Sequence, residues 1–389
     1  MELVLDQYYK LNRQVLSIYG LWPYQNTTNA WITRTFAILF MSWATFGQIF
    51  RICHSKLTTD FILDCLPIII PNIGAIVQVV NRIIINDKLK SLFNQMKIHW
   101  ACARSQNEIE ILQTTAERSR ITTKLVLLYL FLGATTYMFS TLIPQILDVF
   151  LPLNESRSRE HPFHAEWFLN EEKYFYVIRS LMYFALLFIL GVVLANGSVF
   201  VAYMQHANGM FTILGHRAEQ SFNGDKHLFK NRSIREEDYG RIVVFIEDHR
   251  NILEFVDIIQ SCYGLSLFLE FLSLMILIGA TLVQIIKFTG LSDRSFRSVL
   301  YIAGQLMYMF MYSYMGQQLI DTSTQLFMKI YYIKWYNISV WKQKLMLFVM
   351  LKCMRTLSIN AYNIYIFSLE SFSTIVQSAV SVGMLLRHV

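Results

Sequence analysis

Seven apolar stretches, each about 20 residues or longer, dominate this chain: approximately 31–53, 60–83, 121–147, 174–203, 257–286, 296–320 and 359–386. A helix rises about 1.5 Å per residue, and the hydrocarbon core of a bilayer is about 30 Å thick, so about 20 apolar residues cross it. Backbone groups in lipid must pair within the segment, so these stretches predict helices. The expected fold is all-α: a seven-transmembrane helical membrane protein. Only 16% of the 389 residues are charged, against about 25% in soluble domains. Five cysteines without a CxxC pair exclude a disulfide scaffold and a zinc ribbon. Residues 1–20 are polar and of mixed charge, so no cleavable signal peptide is expected there.

Basic residues give the orientation. With a cytoplasmic N-terminus, 24 of the 34 Lys and Arg fall on the inner side and 10 on the outer. The positive-inside rule therefore predicts a cytoplasmic N-terminus and an extracellular C-terminus. The net charge of +7 comes from the inner loops, so membrane lipid is the expected surface partner and nucleic acid is not indicated. This orientation disfavours a G-protein-coupled receptor. No Asp-Arg-Tyr follows the third span, and no proline follows Pro162 to form an Asn-Pro-x-x-Tyr motif. Of five Asn-x-Ser/Thr sequons, at Asn26, Asn154, Asn196, Asn231 and Asn337, only Asn154 is expected to face a lumen.

Three inner segments carry apolar residues at helical spacing without being spans. Tyr239–Phe255 is expected to run directly into the fifth span, and Leu319–Tyr336 to prolong the sixth. Trp341–Cys353 is 13 residues long, too short to cross, and is read as a cytoplasmic packed helix or an interfacial one. The division is 1–320 for six spans and an outer pocket, 321–358 for cytoplasmic anchor helices, and 359–389 for the last helix. Apolar helices converging on one side imply oligomerisation.

The last span is the most polar. Glu370, Thr374, Gln377 or Ser378, Ser381, Leu385 and His388 recur at steps of three or four and form one stripe. Such a stripe suits the wall of a water-filled path built from several copies; it equally suits hydrogen bonding between helices. Glu370 and Glu270 both fall at the inner interface. Glu370 is read as a cation-attracting carboxylate or as a salt-bridge partner of Lys352 or Arg355.

Toward the outside, four spans carry apolar and hydroxyl residues suited to a small-molecule pocket. These are Ile69 and Ile73, beside Pro67 and Pro71; Tyr137, Ser140 and Thr141; Tyr174, Ile178 and Met182; and Tyr301 and Gln305. Plain packing is the competing reading for such stripes. Asp64 and Arg179 are expected to pair or to snorkel to water. His161, His164 and Glu166 do not match a zinc pattern. No catalytic constellation and no cofactor motif stands out, so no enzyme activity is expected.

Along its whole length the chain resembles the insect odorant receptors. The residues that carry the resemblance are Gly316-Gln317-Gln318-Leu319, Tyr332 with Trp335-Tyr336, Phe367-Ser368-Leu369-Glu370-Ser371-Phe372, and Ser381 with Met384-Leu385-Leu386-Arg387. Gly20-Leu21-Trp22-Pro23 looks like ant, bee and wasp members. The resemblance implies a ligand-gated, non-selective cation channel of the sensory-neuron plasma membrane. It would be a tetramer with a shared co-receptor subunit, Orco, and would bind a small volatile odorant. It further implies that Ser381 faces the pore, the side on which the stripe places Thr374 and Gln377, that Leu385 sits at the hydrophobic outer gate with Val389 one turn beyond, and that the outer-half residues above form the odorant pocket. Val382-Gly383 replaces a usual aromatic pair, and Thr356-Leu357 stands where many members have proline. The chain lacks the long second inner loop of the co-receptor and so resembles a tuning subunit. A gustatory receptor shares the fold but differs in the C-terminal motif. A secondary transporter would show an internal repeat, and none is visible.

Overall fold

The computed structural model describes residues 2–56, 58–150, 161–167, 171–222, 232–287, 293–334, 336 and 339–388. Among these, ten helices and one short hairpin follow in order: α1 (Glu2–Ile18), α2 (Thr27–His54), α3 (Thr59–Ile84), α4 (Asn86–Ala101), α5 (Gln106–Phe150), α6 (Glu171–Phe222), α7 (Arg232–Lys287), α8 (Asp293–Tyr332), α9 (Val340–Cys353), β1 (Asn360–Ala361), β2 (Tyr365–Ile366) and α10 (Leu369–His388). By length and composition, α2, α3, α5, α6 and α7 each contain an apolar segment able to cross a membrane. The sixth and seventh expected spans lie in α8 and α10, which are more polar.

Helices α5 to α8 have 45, 52, 56 and 40 residues. At about 1.5 Å per residue they reach roughly 60–84 Å, at least twice the bilayer core. Each therefore leaves the membrane and continues into water. As expected, Tyr239–Phe255 is continuous with the fifth span in α7, and α8 carries the sixth span inward.

The core sits where these extensions meet. From Ala195 to Leu214, α6 is buried on nearly every face, the state of a helix surrounded by others. Phe200, Tyr203, Phe211 and Phe222 are enclosed there, with Phe245 and Phe255 of α7 and Met315 and Leu319 of α8. In contrast, Phe36 and Leu39 of α2 and Leu128, Phe131 and Phe139 of α5 are exposed, as residues facing acyl chains are.

Two helices go beyond the expected elements. In α1, Tyr9, Asn12 and Leu16 are buried at steps of three and four, and Asn12 donates to the Ser198 carbonyl at 2.9 Å. In α4, Leu89, Leu92, Phe93 and Met96 form the inner face. Helix α1 ends at Gly20, whose φ of +69° allows the Leu21 amide to turn back to the Leu16 carbonyl at 2.8 Å.

The seventh span begins later than 359. Residues 359–367 form the β1–β2 hairpin, with Tyr362 and Asn363 at φ of 50° and 60° in its turn. Phe367 donates to the Ile359 carbonyl at 3.0 Å. The segment is apolar, but its backbone pairs across the hairpin rather than along a helix, so apolar length overstates the span.

Candidate functional site

The C-terminal motifs meet in space. The Phe367 carbonyl lies so close to Gly316 that a Cβ there would collide with it, so only glycine lets the hairpin reach α8. The neighbouring Gln317 accepts a hydrogen bond from the Leu369 amide at 3.2 Å, and Gln318 accepts from Gln205 of α6 at 2.6 Å. Ser368 caps α10: its hydroxyl accepts from the Ser371 amide at 3.1 Å, and its carbonyl accepts from Phe372 at 3.0 Å. Glu370 then falls in the first turn, where a carboxylate complements the helix dipole. Glu370 is exposed, and no ion pair reaches it among the described residues.

On α10, Ile375 is buried, and Phe372 packs edge-on to Phe310 of α8 with ring centres 5.6 Å apart. Ser373, Thr374, Gln377, Ser378 and Ser381 are all exposed on the other side. The Thr374, Ser378 and Ser381 hydroxyls donate to carbonyls one turn back at 2.8–3.0 Å, which satisfies each donor and leaves oxygen lone pairs outward. Leu385 belongs to α10, but its side chain lies outside the described residues, as does Val389.

In the outer half, Ile178 and Met182 are buried against Phe163 and Ala165. The Tyr137 hydroxyl donates to the Pro162 carbonyl at 2.6 Å, and the Thr141 and Tyr183 hydroxyls are hydrogen-bonded. Ser140 is also buried, and bonds the Tyr137 carbonyl at 2.7 Å. On the facing wall, Tyr301 donates to the Pro67 carbonyl at 2.5 Å, and Gln305 to Thr281 at 3.5 Å. Among the described residues, the buried Gln305 carbonyl oxygen has no hydrogen-bond partner. Ile69 is half-buried, whereas Ile73 and Tyr174 are 46% and 40% exposed. Tyr174 also sits at a non-helical kink near the start of α6.

The 161–167 segment is the part that spacing alone does not reveal. Trp167 stacks on Trp43 at 3.9 Å over Gly47, and the Glu166 amide donates to the Gly47 carbonyl at 3.0 Å. Its aromatic residues within an otherwise acidic loop are the signal. Glu166 pairs with Arg51 at 3.5 Å, His161 lies against Phe175 and His164 against Phe61. Arg179 is buried rather than snorkelling: it bonds Gln145 at 2.9 Å and lies over Phe175. Asp64 accepts from Gln284 at 3.0 Å.

Between the two regions lies a polar nest. Glu270 accepts from Gln78 at 2.8 Å and Tyr308 at 2.6 Å, while Gln78 accepts from Asn196 at 2.9 Å. Arg82 donates to Asn196 at 2.5 Å and to Tyr263 at 2.6 Å. Asn196 is therefore structural. Deeper still, Arg217 bonds Glu108 through two nitrogens at 2.8 Å and Asp248 at 2.7 Å.

A bundle of apolar spanning helices with long inner extensions and a last helix that is polar on its exposed face defines a multi-pass helical membrane protein. The chain belongs to the 7tm odorant receptor family, whose profile matches residues 58–380. It is 25% identical over 145 residues to the odorant receptor coreceptor of Ooceraea biroi, covering 37% of this chain and 30% of that protein. It is 23% identical over 154 residues to odorant receptor 42a of Drosophila melanogaster, covering 40% and 38%. The matched segments thus span about a third of these relatives. The fold matches the insect olfactory receptor OR5 of Machilis hrabei in complex with eugenol, with a TM-score of 0.81, 16% identity and 98% of both chains covered.

Proposed function

We propose that this chain is the tuning subunit of an odorant-gated, non-selective cation channel that assembles as a tetramer with the co-receptor Orco in the sensory-neuron plasma membrane. The observation that carries this reading is the exposed polar face of α10. Five hydroxyl or amide residues face outward from a membrane helix that buries its other side on α7 and α8. Lipid is a poor neighbour for such a face, whereas a shared water-filled path is a good one. In this reading Thr374, Gln377 and Ser381 line the path, and Leu385 and Val389 form its apolar outer constriction.

The odorant site is the outer cluster of Ile69, Ile73, Tyr137, Ser140, Thr141, Tyr174, Ile178, Met182, Tyr301 and Gln305. The unpartnered Gln305 oxygen supports a ligand that donates one hydrogen bond, since buried acceptors rarely go unpaired. Such a ligand is a small volatile with an apolar body and one hydroxyl.

The reading is tested by recording from cells that express the chain with its co-receptor. An odour panel should evoke a cation current without nucleotide in the pipette. Leu385→Ser should add unstimulated current by wetting one side of the constriction, and Ser381→Arg should cut cation flux. If both variants, at matched surface expression, conduct like the parent, α10 does not line the path.

A further inference from the structure

A narrow cleft of about 30 Å³ lies between α5, α6 and α8, and it shares no residue with the outer cluster. Helix α5 runs outward while α6 and α8 run inward. The cleft therefore begins at Thr123, Val201 and Met311 on its inner side and ends at Leu130, Val193 and Gly304 on its outer side. Seven residues of α5 give it a length of about 10 Å along the bilayer normal. Its outer end stops seven residues of α5, again about 10 Å, below Tyr137.

Two observations show what the cleft accepts. The lining is apolar, and Gly304 faces open space: a Cβ there would meet nothing within 4 Å. An apolar void loses dispersion contacts along every wall, and too few polar groups line it to hold water. At the inner end the polarity changes. The Thr123 hydroxyl and that of Ser119, one turn below, are buried at 1% exposure and have no hydrogen-bond partner among the described residues. Both lie at the inner end of the third span, beside exposed Lys124 and half-buried Arg120.

We propose that the cleft is a binding site for an inner-leaflet phospholipid. One acyl chain lies along Val126, Leu130, Met307 and Met311, an ester carbonyl accepts from Thr123, and the phosphate sits beside Arg120. The depth order supports this occupant: a lipid carries charge, then ester oxygens, then hydrocarbon from the interface inward, and α5, running outward, carries Arg120, Thr123 and Val126 in the same order. Lipid tails gain nothing from leaving an apolar bilayer, so packing and the ester hydrogen bond select the chain.

The test is photolabelling of the full chain in nanodiscs that contain a phospholipid with a diazirine on one acyl chain, read by peptide mass spectrometry. Labels are expected on the α8 peptide containing Met307 and Met311. Gly304→Leu, which fills the cleft, should lower that label at least fivefold while the label on lipid-facing α2 residues stays constant; Gly304→Ala should not. Thr123→Val keeps the shape, removes the donor and should reduce the label about fivefold. A photoreactive sterol serves as the second arm. The proposal fails if the sterol labels these positions and the phospholipid does not, if neither labels them, or if Gly304→Leu and Thr123→Val leave the phospholipid label unchanged. Surface expression and the α2 label show that each variant is folded.

Discussion

Helices α5 to α8 pass through two solvents, and their two ends are held together differently. At the inner end, side chains pack all round α6 and ion pairs are buried: Arg217 and Glu108 are 6% exposed or less. At the outer end the same helices turn large apolar residues to lipid and are tied by isolated hydrogen bonds, such as Arg179 of α6 to Gln145 of α5, Gln305 of α8 to Thr281 of α7, and Tyr301 of α8 to the Pro67 carbonyl of α3. In water the hydrophobic effect drives the inner packing. In lipid that drive is absent, so the outer half relies on local hydrogen bonds and shape. A rigid base and a less tightly bonded upper half is an arrangement in which a small ligand can change packing above without unfolding what lies below.

The sharpest way to break this contrast is at the base. Arg217→Ala leaves the buried Glu108 carboxylate without its guanidinium and the half-buried Asp248 with Arg104 alone. Removing one member of a buried pair costs about 3–5 kcal/mol. The expected outcome is loss of thermal stability and of surface expression, with any channel that still reaches the surface retaining its odour ranking. Arg217→Lys cannot reproduce the two-nitrogen contact and should recover only part of the loss. A ranking that changes with intact stability would mean the base is not merely structural.

Acid probes the same base. His99 of α4 bonds His206 at 3.0 Å and lies against Phe255. Burial pushes the His99 pKa down to about 4, Asp248 opposing that shift and Arg217 adding to it. In the unfolded chain the imidazole takes a proton near pH 6.5. Between these values the unfolded state binds the proton and the folded state does not, so stability falls as pH drops from 6.5 toward 4. The full difference is about 3 kcal/mol. Melting of the purified chain at pH 7 and pH 5 should show the drop, and His99→Gln should make it smaller, with His206 and His249, whose pKa values burial also lowers, supplying the rest.

In the outer half, effects should appear in ligand ranking rather than in stability. Met182→Ala and Tyr137→Ala should shift potencies for different odorants unequally, by about 1–3 kcal/mol, the size of one lost apolar contact set. Ion permeability should not move. A permeability change at constant ranking would remove these residues from the ligand site.

The spans were legible because apolar length is a direct demand of the bilayer. The inner helices were legible only in part. Tyr239–Phe255 announces itself by helical spacing next to a span, whereas α1 and α4 bury one narrow face each and are otherwise polar, so apolar length misses them. Asn12 and Asn72 show why the remainder was hidden: each bonds a backbone carbonyl on a helix distant in sequence, Ser198 and Met41, and nothing local marks such a partner. The same holds for Arg179, whose burial depends on Gln145 and Phe175. The exposed stripe of α10 was readable from its period, but its start was not, because residues 359–367 are as apolar as the helix that follows.

That start supplies the smallest and most local test. Ser368 lies where the packed base ends and the exposed helix begins, and it satisfies an amide of the first turn of α10. Without a cap, that amide must find water or remain unpaired. Ser368→Ala should cost about 1 kcal/mol, too little to disturb α6 or the Arg217 cluster. Hydrogen exchange of the 369–372 amides should speed up about fivefold, while amides of α6 keep their protection. Ser368→Asp keeps an acceptor at the cap and favours the helix dipole, so it should restore slow exchange. If Ser368→Ala changes nothing in the first turn, Gly316 and the Gln317 contact to Leu369 suffice to set where α10 begins, and the boundary between base and exposed helix is fixed by packing against α8 rather than by the cap.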